Sequence, residues 1–414
     1  MANGEHPYTD DDPVVAQYER WIFPEPIDDL NHPSLARYRE SFTTLRKLSP
    51  AYWPAGRPRE DLDILVAGCG TMAAAFMAHL YPHCRVVGID ISRASLAHEQ
   101  RLKERYNLSN LTLHHCPVEQ VAGLGGKYDY ISCHGVLHHL PDPAAGLRAL
   151  GGVLNPHGVV AIMLYAKYGR APVYFMQELF QLLGLRQTED DVVVVRQTLD
   201  GLPSDHPLRP SLRMNAFSVG SDAGLVDMFL HPRDRPYSVA DCLSLAGEAG
   251  MVFQGWEQNL YYHPDAFVAP GTPLRQRLDR LGLHQLWQAM ELLVARIATH
   301  WFVACRSDRD PATYRIPWDS DALLDWIPLR SAQPMKRIGP GGTSEFAMGR
   351  EGYPAVPITA AQAAILTQID GRQTVAQCLA SAGMPVSGHA LPEAARDLLR
   401  LLDRTGYGLV CVRR

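Results

Sequence analysis

Short runs of consecutive apolar residues alternate with amphipathic stretches between residues 61 and 165. A continuous apolar run that ends in glycine is typical of a strand buried on both faces, and the stretches between the runs are long enough for helices. The runs are DILVAG (63–68), RVVGID (85–90), LTLHHC (111–116), YDYISC (128–133) and VVAIMLY (159–165). Strands that alternate with helices form right-handed crossovers, so the pattern predicts an α/β fold with a parallel, Rossmann-like sheet.

Two local signals place helices between these strands. Ser92 can cap a helix that begins near Arg93. Asp142 followed by Pro143 supplies a cap and a first-turn proline for a later helix.

The same pattern divides the whole chain into six regions. They are an aromatic N-terminal segment (1–60), the α/β core (61–165), a helical cap inserted after the fifth strand (166–235), the rest of the core with a helical insertion (236–306), a linker rich in glycine and proline (307–345) and a C-terminal module (346–414). Helices followed by a short strand predict a small winged-helix-like α/β unit for that module. Within the cap, the tract VVVV (192–195) is typical of a core segment or an interface strand.

Composition excludes several classes of partner. The 414 residues carry a formal net charge of −5, and without a basic excess we expect no nucleic acid. No window reaches the roughly 18 apolar residues of a membrane span, so we expect no membrane association. The beginning of the chain, MANGEHPYTDDDP, is polar and unlike a signal peptide. We therefore expect a soluble cytoplasmic protein, for which export would need a non-classical route.

Cysteine and histidine spacing does not predict a metal site. The eight cysteines are scattered and include no CxxC pair, which is typical of reduced, buried thiols. His138 and His139 are adjacent, but neighbouring side chains point in different directions and no carboxylate stands at a ligand-like spacing. We expect no metal and a structural role for this pair.

A nucleoside-binding signal follows the first predicted strand. Gly68 and Gly70 leave the backbone bare where the strand turns into a helix, whose first N–H groups are free to meet a ligand. Asp90 ends the second strand, 20 positions after Gly70, where a carboxylate can accept both ribose hydroxyls. Gly68, Gly70 and Ala73 also match the G-x-G-x-x-A pattern of dinucleotide enzymes, so these residues alone fit both S-adenosylmethionine (SAM) and NAD.

The succession of motifs resembles the class I SAM-dependent methyltransferases over about 100 consecutive residues. The motifs, in chain order, are VAGCGT, GIDIS, PVEQV, KYDYISCHGVLHHLPDP and LNPHGVVAIMLY. This resemblance implies that Gly68, Cys69 and Gly70 cradle the methionine part of SAM and that Asp90 holds the ribose. It also implies that the reaction leaves S-adenosyl-L-homocysteine as product.

The resemblance further implies which residues surround the adenine and the sulfonium. Ile91 is expected on one face of the adenine, and the Val118 backbone at its edge. The family usually has an acidic residue where Pro117 stands, and Glu119 is expected to take that role. His134 and Gly135 are expected to close the site below the sulfonium.

A longer resemblance runs over the whole chain. The segments QYERWIFPEP, DLDILVAGCGT, LYAKYGR, LVDMFLHPRDRPYS and VFQGWEQ are similar to a bacterial methyltransferase group that includes a mycobacterial histone-lysine methyltransferase. This similarity implies that the acceptor is a protein lysine. It also implies that Tyr18 and Trp21 form a lid over the cofactor, where aromatic rings exclude water.

Residues near the end of the fifth strand are candidates for the acceptor site. Tyr165, Lys167 and Tyr168 follow that strand at the carboxyl edge, where open sheets place ligands, and are expected to contact the substrate. A lysine amine must lose a proton before it reacts, because its free pKa is about 10.4. His134, His138 and Tyr165 are the candidate catalytic residues for lining the channel or removing that proton.

The sequence leaves three functions open. They are methyl transfer to a protein lysine, methyl transfer to an oxygen or nitrogen of a small molecule, and a non-catalytic SAM-binding interaction protein. The acceptor is therefore a protein or a small molecule. The apolar segments 174–185 and 283–298 exceed what a small lid needs, and we expect them to support a homodimer.

Overall fold

The structure, a computed structural model, covers most of the chain. It describes residues 12–33, 44–56, 61–338, 344–384, 386 and 390–411. Within the predicted N-terminal region (1–60), residues 1–11, 34–43 and 57–60 lie outside the described residues. The described residues form two compact units: the first lies within 1–44, 59–253 and 296–307, and the second within 45–58, 254–295 and 308–414.

A seven-stranded sheet confirms the predicted α/β, Rossmann-like fold. Its strands are β1 (Asp63–Ala67), β2 (Arg85–Asp90), β3 (Leu111–His115), β4 (Tyr128–His134), β5 (Leu154–Tyr165), β6 (Met251–Trp256) and β7 (Thr299–Arg306). Their order across the sheet is β3-β2-β1-β4-β5-β7-β6. All five strands predicted from the apolar runs are present.

The sheet is mixed, whereas the sequence predicted a parallel one. β1 to β5 pair in parallel: Ile64 of β1, for example, lies opposite Val86 of β2 and Tyr130 of β4. β7 runs antiparallel to β5, with Val159 opposite Cys305 and Tyr165 opposite Thr299. An apolar run does not reveal strand direction, because direction depends on the connection that precedes the strand.

Helices occupy the connections and the segments beyond the sheet. In chain order they are α1 (Pro13–Arg20), α2 (Thr44–Tyr52), α3 (Ala73–Leu80), α4 (Arg93–Arg105), α5 (Pro143–Gly152), α6 (Ala171–Leu182), α7 (Glu189–Gly201), α8 (Arg209–Met214), α9 (Ala216–Val219), α10 (Asp222–Phe229), α11 (Val239–Glu248), α12 (Pro273–Leu278), α13 (Leu283–Val294), α14 (Ala360–Gln368), α15 (Val375–Ser381) and α16 (Glu393–Thr405). The predicted caps are present, since Ser92 accepts a hydrogen bond from the Ser95 N–H and Asp142 accepts one from the Ala145 N–H. Each described helix is too short or too polar to traverse a lipid bilayer.

The parallel strands bring the candidate residues to one edge of the sheet. The carboxyl ends of β1, β2, β4 and β5 are Ala67, Asp90, His134 and Tyr165. Because β1 is central and pairs with both β2 and β4, the turn after β1 lies between the ends of its two neighbours. Ligands of open α/β sheets bind at this edge.

The predicted cap is helical and packs around its own apolar cluster. Val173, Phe180, Val195, Leu225 and Phe229 belong to this buried cluster, which joins α6, α7 and α10. Of the two expectations for 192–195, a core segment or an interface strand, the strand is wrong because this tract lies inside α7, whereas Val192 and Val195 do belong to the buried cluster. Thr188 caps that helix and acidic residues fill its first turn. Helical spacing then buries two of the four valines and exposes the other two.

The second unit has its own core. Strands β9 (Gln333–Ile338), β10 (Ser344–Gly349) and β11 (Val356–Ile358) form an antiparallel sheet, and β12 (Gly408–Cys411) pairs with β8 (Ile327–Arg330). A buried cluster that includes Leu366, Leu379, Leu398 and Tyr407 holds α14, α15 and α16 together. β8 and β9 lie within 307–345, which the sequence analysis assigns to a linker, and the winged-helix-like description of the module stays a prediction.

Candidate functional site

The turn after β1 needs glycine at two positions. Gly68 has a φ of +69°, and a Cβ atom there would lie 2.3 Å from Cγ2 of Val136. Gly70 has a φ of +55°, and its Cβ would lie 3.1 Å from Cδ of Pro24. Side chains are therefore excluded on both sides of Cys69, whose own side chain is buried. The turn offers a bare backbone to any ligand that reaches it.

Asp90 holds this turn from the end of β2. Its carboxylate accepts hydrogen bonds from the backbone N–H of Gly70 at 2.7 Å and of Ser92 at 2.9 Å. Burial raises the pKa of Asp90, and these two hydrogen bonds act against that rise. Each carboxylate oxygen has a further lone pair, so the group can still accept hydrogen bonds from two vicinal hydroxyls.

Glu99 occupies the helix N-terminus that was expected to be free. Its two carboxylate oxygens accept hydrogen bonds from the Ala74 and Ala75 N–H groups, both at 2.8 Å, at the start of α3. Glu99 is fully buried, and burial raises its pKa to about 8. A ligand at the glycine turn therefore meets a helix end whose Ala74 and Ala75 N–H groups are already hydrogen-bonded to this side chain. The role of Glu99 was not predictable from the sequence, because nothing local marks a helix partner 24 residues away.

The residues predicted around the adenine flank Asp90. Ile91 follows Asp90 directly and is half-buried. Its carbonyl lies 2.9 Å from Nε2 of His115, at the end of β3. Val118 is buried and begins a 3-10 helix, Val118–Leu124, and Glu119 stands next to it in the first turn. These residues lie at the ends of β2 and β3, which are neighbouring strands of the sheet.

His134 and Gly135 lie where β4 ends. Gly135 has a φ of +74° and its N–H donates to the Met163 carbonyl. The His134 ring packs against Trp301 at 4.8 Å between centroids, and its Nδ1 lies 3.2 Å from the Ser132 hydroxyl. Burial lowers the pKa of His134 to about 4. Its Nε2 is buried and has no hydrogen-bond partner among the described residues.

Tyr18 lies near residues predicted for the cofactor and residues predicted for the acceptor. Its hydroxyl donates to Oδ1 of Asp227 at 2.9 Å and lies 3.3 Å from Nε2 of His231. Burial, and then the charge of Asp227, raise its pKa well above the ordinary value, and the charges of Tyr165 and Asp90 act in the same direction. Tyr18 is thus close to the predicted ribose carboxylate and to the predicted acceptor residue.

Trp21 has a different environment from Tyr18. Its indole N–H donates to the Gln187 carbonyl at 3.3 Å, and the half-buried ring packs against the apolar cluster of the cap. Both aromatic residues predicted for the lid are therefore tied to the cap, and Tyr18 also contacts the buried side chain of Asp227.

A buried group of rings and charges extends from Tyr165. The His138 and Tyr165 ring centroids are 4.2 Å apart, and the Arg170 guanidinium lies over the Tyr165 ring, 3.7 Å from its centroid. His139 stacks on His231 at 3.8 Å between ring centroids. His138 is completely buried and His139 nearly so.

The predicted substrate residues divide into two groups. Tyr165 belongs to this buried group, whereas Lys167 and Tyr168 are exposed on the loop beyond β5. The Lys167 ammonium lies 5.7 Å from the Tyr168 ring, so these two side chains contact each other instead.

Four residues of the buried group were missed by the sequence analysis. They are Arg170, Asp227, His231 and Asp234. Three of them lie in the segment LVDMFLHPRDRPYS (225–238), one of those that carry the whole-chain resemblance. That resemblance was the available signal, because no local spacing relates this segment to β4.

The residues at the sheet edge fit a SAM molecule. A bare glycine turn suits an amino-acid group, the Asp90 carboxylate keeps lone pairs for ribose hydroxyls, and His134 presents a buried nitrogen without a partner among the described residues. Orphaned buried polar atoms of this kind are expected where a ligand completes the hydrogen bonds.

Comparison with known proteins finds methyltransferases among those that this chain resembles. Residues 65–160 match the family model described as "Methyltransferase domain". An uncharacterized protein from Synechococcus sp. is 32% identical over 328 residues, which are 77% of this chain and 76% of that protein. A ubiquinone biosynthesis O-methyltransferase from Acinetobacter baumannii is 31% identical over 123 residues, 29% of this chain and 48% of that enzyme.

Solved structures share the fold over nearly the whole chain. PKMT2 from Rickettsia typhi has a TM-score of 0.59 at 17% sequence identity, covering 94% of this chain and 76% of that one. A second structure, of the same protein in complex with AdoHcy, has a TM-score of 0.58 and covers 94% of this chain and 77% of that one.

Proposed function

This chain belongs to the class I SAM-dependent methyltransferases, and we propose that its methyl acceptor is the side-chain amine of a lysine in a protein. SAM is the methyl donor, and its positively charged sulfur activates the methyl group. The task left to the protein is to align the acceptor with that methyl group and to exclude water.

We assign the cofactor-binding roles to the sheet edge. The backbone of Gly68, Cys69 and Gly70 would hold the amino-acid part of SAM and Asp90 its ribose. The adenine would contact Ile91, Val118 and Glu119. The sulfonium side of the cofactor would contact His134 and Gly135. The bare turn and the Asp90 carboxylate, 2.7 Å apart at their polar atoms, support this assignment.

The observation that carries the acceptor proposal is the position of Tyr18. Its side chain is half-buried, its hydroxyl donates to the buried Asp227, and the charges of both Asp90 and Tyr165 act on it. An acceptor that reaches the methyl group there passes between aromatic rings. A lysine amine has a reactive lone pair only after it loses its proton, and burial among rings disfavours the charged form. Tyr18 and Tyr165 are the residues to which we assign this lining role.

The relatives give this proposal its second support. The name of PKMT2 from Rickettsia typhi, whose fold matches this chain over 94% of its length, hints at protein lysine methylation. The resemblance of the sequence to a bacterial group with a histone-lysine methyltransferase favours the same acceptor.

The second candidate function is methyl transfer to a small molecule. His138 is completely buried beside Tyr165, and an enclosed polar group of this kind suits a small acceptor as well as a single side chain. The similarity of residues in the core to a ubiquinone biosynthesis O-methyltransferase favours this candidate.

Tritium transfer distinguishes the two acceptors. The protein is incubated with SAM labelled in its methyl group and a cell lysate, and macromolecules are then separated from small molecules. We expect label in protein and, after acid hydrolysis, in methylated lysine. Lysate whose lysines have been acetylated serves as the matched control and should lose the label, because acetylation removes the amine. Label confined to small molecules would support the second candidate instead.

A further inference from the structure

Two histidines and an aspartate from distant parts of the chain converge beside the proposed acceptor region. His138 and His139 lie in the 3-10 helix Leu137–His139 after β4, and Asp234 lies between α10 and α11. One ligand atom from each lies within 4.8 Å of the other two. We propose that His138, His139 and Asp234 bind a divalent transition-metal ion, of which zinc is the expected representative.

His138 supplies the observation that points to a ligand. The side chain is completely buried, and neither ring nitrogen has a hydrogen-bond partner among the described residues. Burying two polar nitrogens without partners costs the free energy of the hydrogen bonds they made with water. A coordinate bond from one nitrogen to a metal ion recovers part of that loss.

His139 has the orientation of a metal ligand. Its Nδ1 lies 2.7 Å from the carbonyl oxygen of Arg233, so this nitrogen must carry the proton and donate it. The lone pair of the neutral ring is then on Nε2. Metal-binding histidines have this same outer contact, which fixes both the ring and its tautomer.

The two carboxylate oxygens of Asp234 differ in their contacts. Its Oδ2 accepts a hydrogen bond from the Gln177 amide at 2.9 Å and lies 3.8 Å from Nη2 of Arg170. Its Oδ1 is buried and has no hydrogen-bond partner among the described residues. Gln177 thus orients the carboxylate from outside and leaves Oδ1 for the metal.

A second set of possible metal ligands, His139, Asp227 and His231, also clusters closely, but its side chains already make hydrogen bonds to other protein groups. Nδ1 of His231 accepts a hydrogen bond from the Arg233 N–H, so the proton of the neutral ring is on Nε2, 3.3 Å from the Tyr18 hydroxyl. Oδ1 of Asp227 accepts the hydrogen bond of Tyr18. Because Asp227 and His231 already make these hydrogen bonds, we favour His138, His139 and Asp234 as the metal site.

The donor atoms and the local charge restrict the metal. Two imidazole nitrogens and one carboxylate oxygen suit zinc, cobalt or nickel better than magnesium or calcium, which prefer oxygen ligands. The Arg170 cation beside Asp234 offsets the carboxylate charge and weakens binding of any cation. Three protein ligands leave a coordination position for water or for another ligand. A metal here would also join the loop after β4 to the segment 230–237.

Metal binding can be measured without any methyl acceptor. The full chain, stripped with a chelator, is titrated with Co²⁺ while its visible absorption is recorded, and with Zn²⁺ by calorimetry. We expect one ion per chain, a raised Tm with Zn²⁺ that a chelator reverses, and no competition from Mg²⁺. Asp234→Asn and His138→Ala should each weaken Co²⁺ binding by about 100-fold or more.

Two controls keep this test decisive. His83→Ala replaces an exposed histidine outside the cluster and should leave Co²⁺ affinity unchanged. Asp234→Asn keeps the side-chain shape and a carbonyl oxygen for Gln177, so an unchanged Tm of the metal-free variant shows that the fold is intact. Absence of stoichiometric binding to the intact chain, or equal affinity in the chain and both variants, would overturn the proposal. Neither result bears on SAM binding, so the proposed function is tested separately.

Discussion

The carboxylate of Asp90 accepts a hydrogen bond from the backbone N–H of Gly70 at 2.7 Å. This contact joins the end of β2 to the turn after β1 and places an acid next to a bare backbone. In a class I methyltransferase, these two elements are the ones we propose to hold the ribose and the amino-acid part of SAM.

Replacing the acid is expected to weaken cofactor binding. Asp90→Ala removes two hydrogen bonds to a charged acceptor, each worth roughly 1.5–3 kcal/mol, so SAM affinity should fall by about 100-fold or more. Calorimetry with SAM measures the change, and circular dichroism checks that the fold is retained. Asp190→Ala, on the exposed first turn of α7, is the matched control and should bind SAM normally. Unchanged affinity in Asp90→Ala would remove Asp90 from the ribose site.

A methyl group at Gly68 is expected to destabilise the chain. The new Cβ would lie 2.3 Å from Cγ2 of Val136, and the φ of +69° is unfavourable for alanine. Gly68→Ala should lower the free energy of unfolding by roughly 2–4 kcal/mol, measured from the urea midpoint. Gly247→Ala, where nothing lies within 4 Å, should change it by less than about 1 kcal/mol. Adding Val136→Ala should recover part of the loss; no recovery would show that overlap is not the cause.

The buried carboxyl of Glu99 is expected to make stability depend on pH. Its pKa is raised to about 8 by burial, so the folded chain favours the protonated form and loses stability as pH rises through about 8. Between pH 6 and pH 9 the wild-type chain should lose roughly 1–4 kcal/mol more than Glu99→Gln, which has no carboxyl to ionise. Glu104→Gln, exposed on the same helix, should behave like the wild type. Parallel pH profiles for wild type and Glu99→Gln would contradict the raised pKa.

Removing the Tyr18 hydroxyl is expected to affect turnover more than cofactor binding. Tyr18→Phe keeps the ring that we propose to line the path of the acceptor but leaves Asp227 without its 2.9 Å donor. The kcat for methyl transfer should fall about 10-fold, since one buried hydrogen bond to a charged group is lost. SAM affinity should change by less than about 3-fold. Tyr353→Phe, at an exposed position, is the control. A loss of SAM affinity as large as the loss of kcat would place the hydroxyl on the cofactor instead.

The fold was predictable where local pattern decides structure. The five apolar runs gave strands β1 to β5, and the helix caps at Ser92 and Asp142 form as expected. The resemblance to methyltransferases, and SAM as cofactor, are confirmed by the comparisons. The antiparallel direction of β7 was not predictable, because it depends on a connection of more than a hundred residues.

The convergence of Gly68, Gly70 and Asp90 at one edge of the sheet was predictable, whereas that of the other residues of the candidate site was not. Gly68, Gly70 and Asp90 are close in sequence to the strands that position them, so spacing alone brought them together. Glu99 and Asp234 reach the site through tertiary packing, and no short motif relates them to the turn after β1 or to the histidines after β4. Long-range contacts of this kind between side chains are set by the tertiary fold and not by any short motif.

A crystal soaked with S-adenosyl-L-homocysteine tests the account most directly. The predicted result is density along the edge of the sheet, with the ribose hydroxyls within hydrogen-bond distance of the Asp90 carboxylate and the amino-acid group on the backbone of residues 68–70. Density for the ligand at another place, or a native side chain filling this crevice in fully soaked crystals, would contradict it.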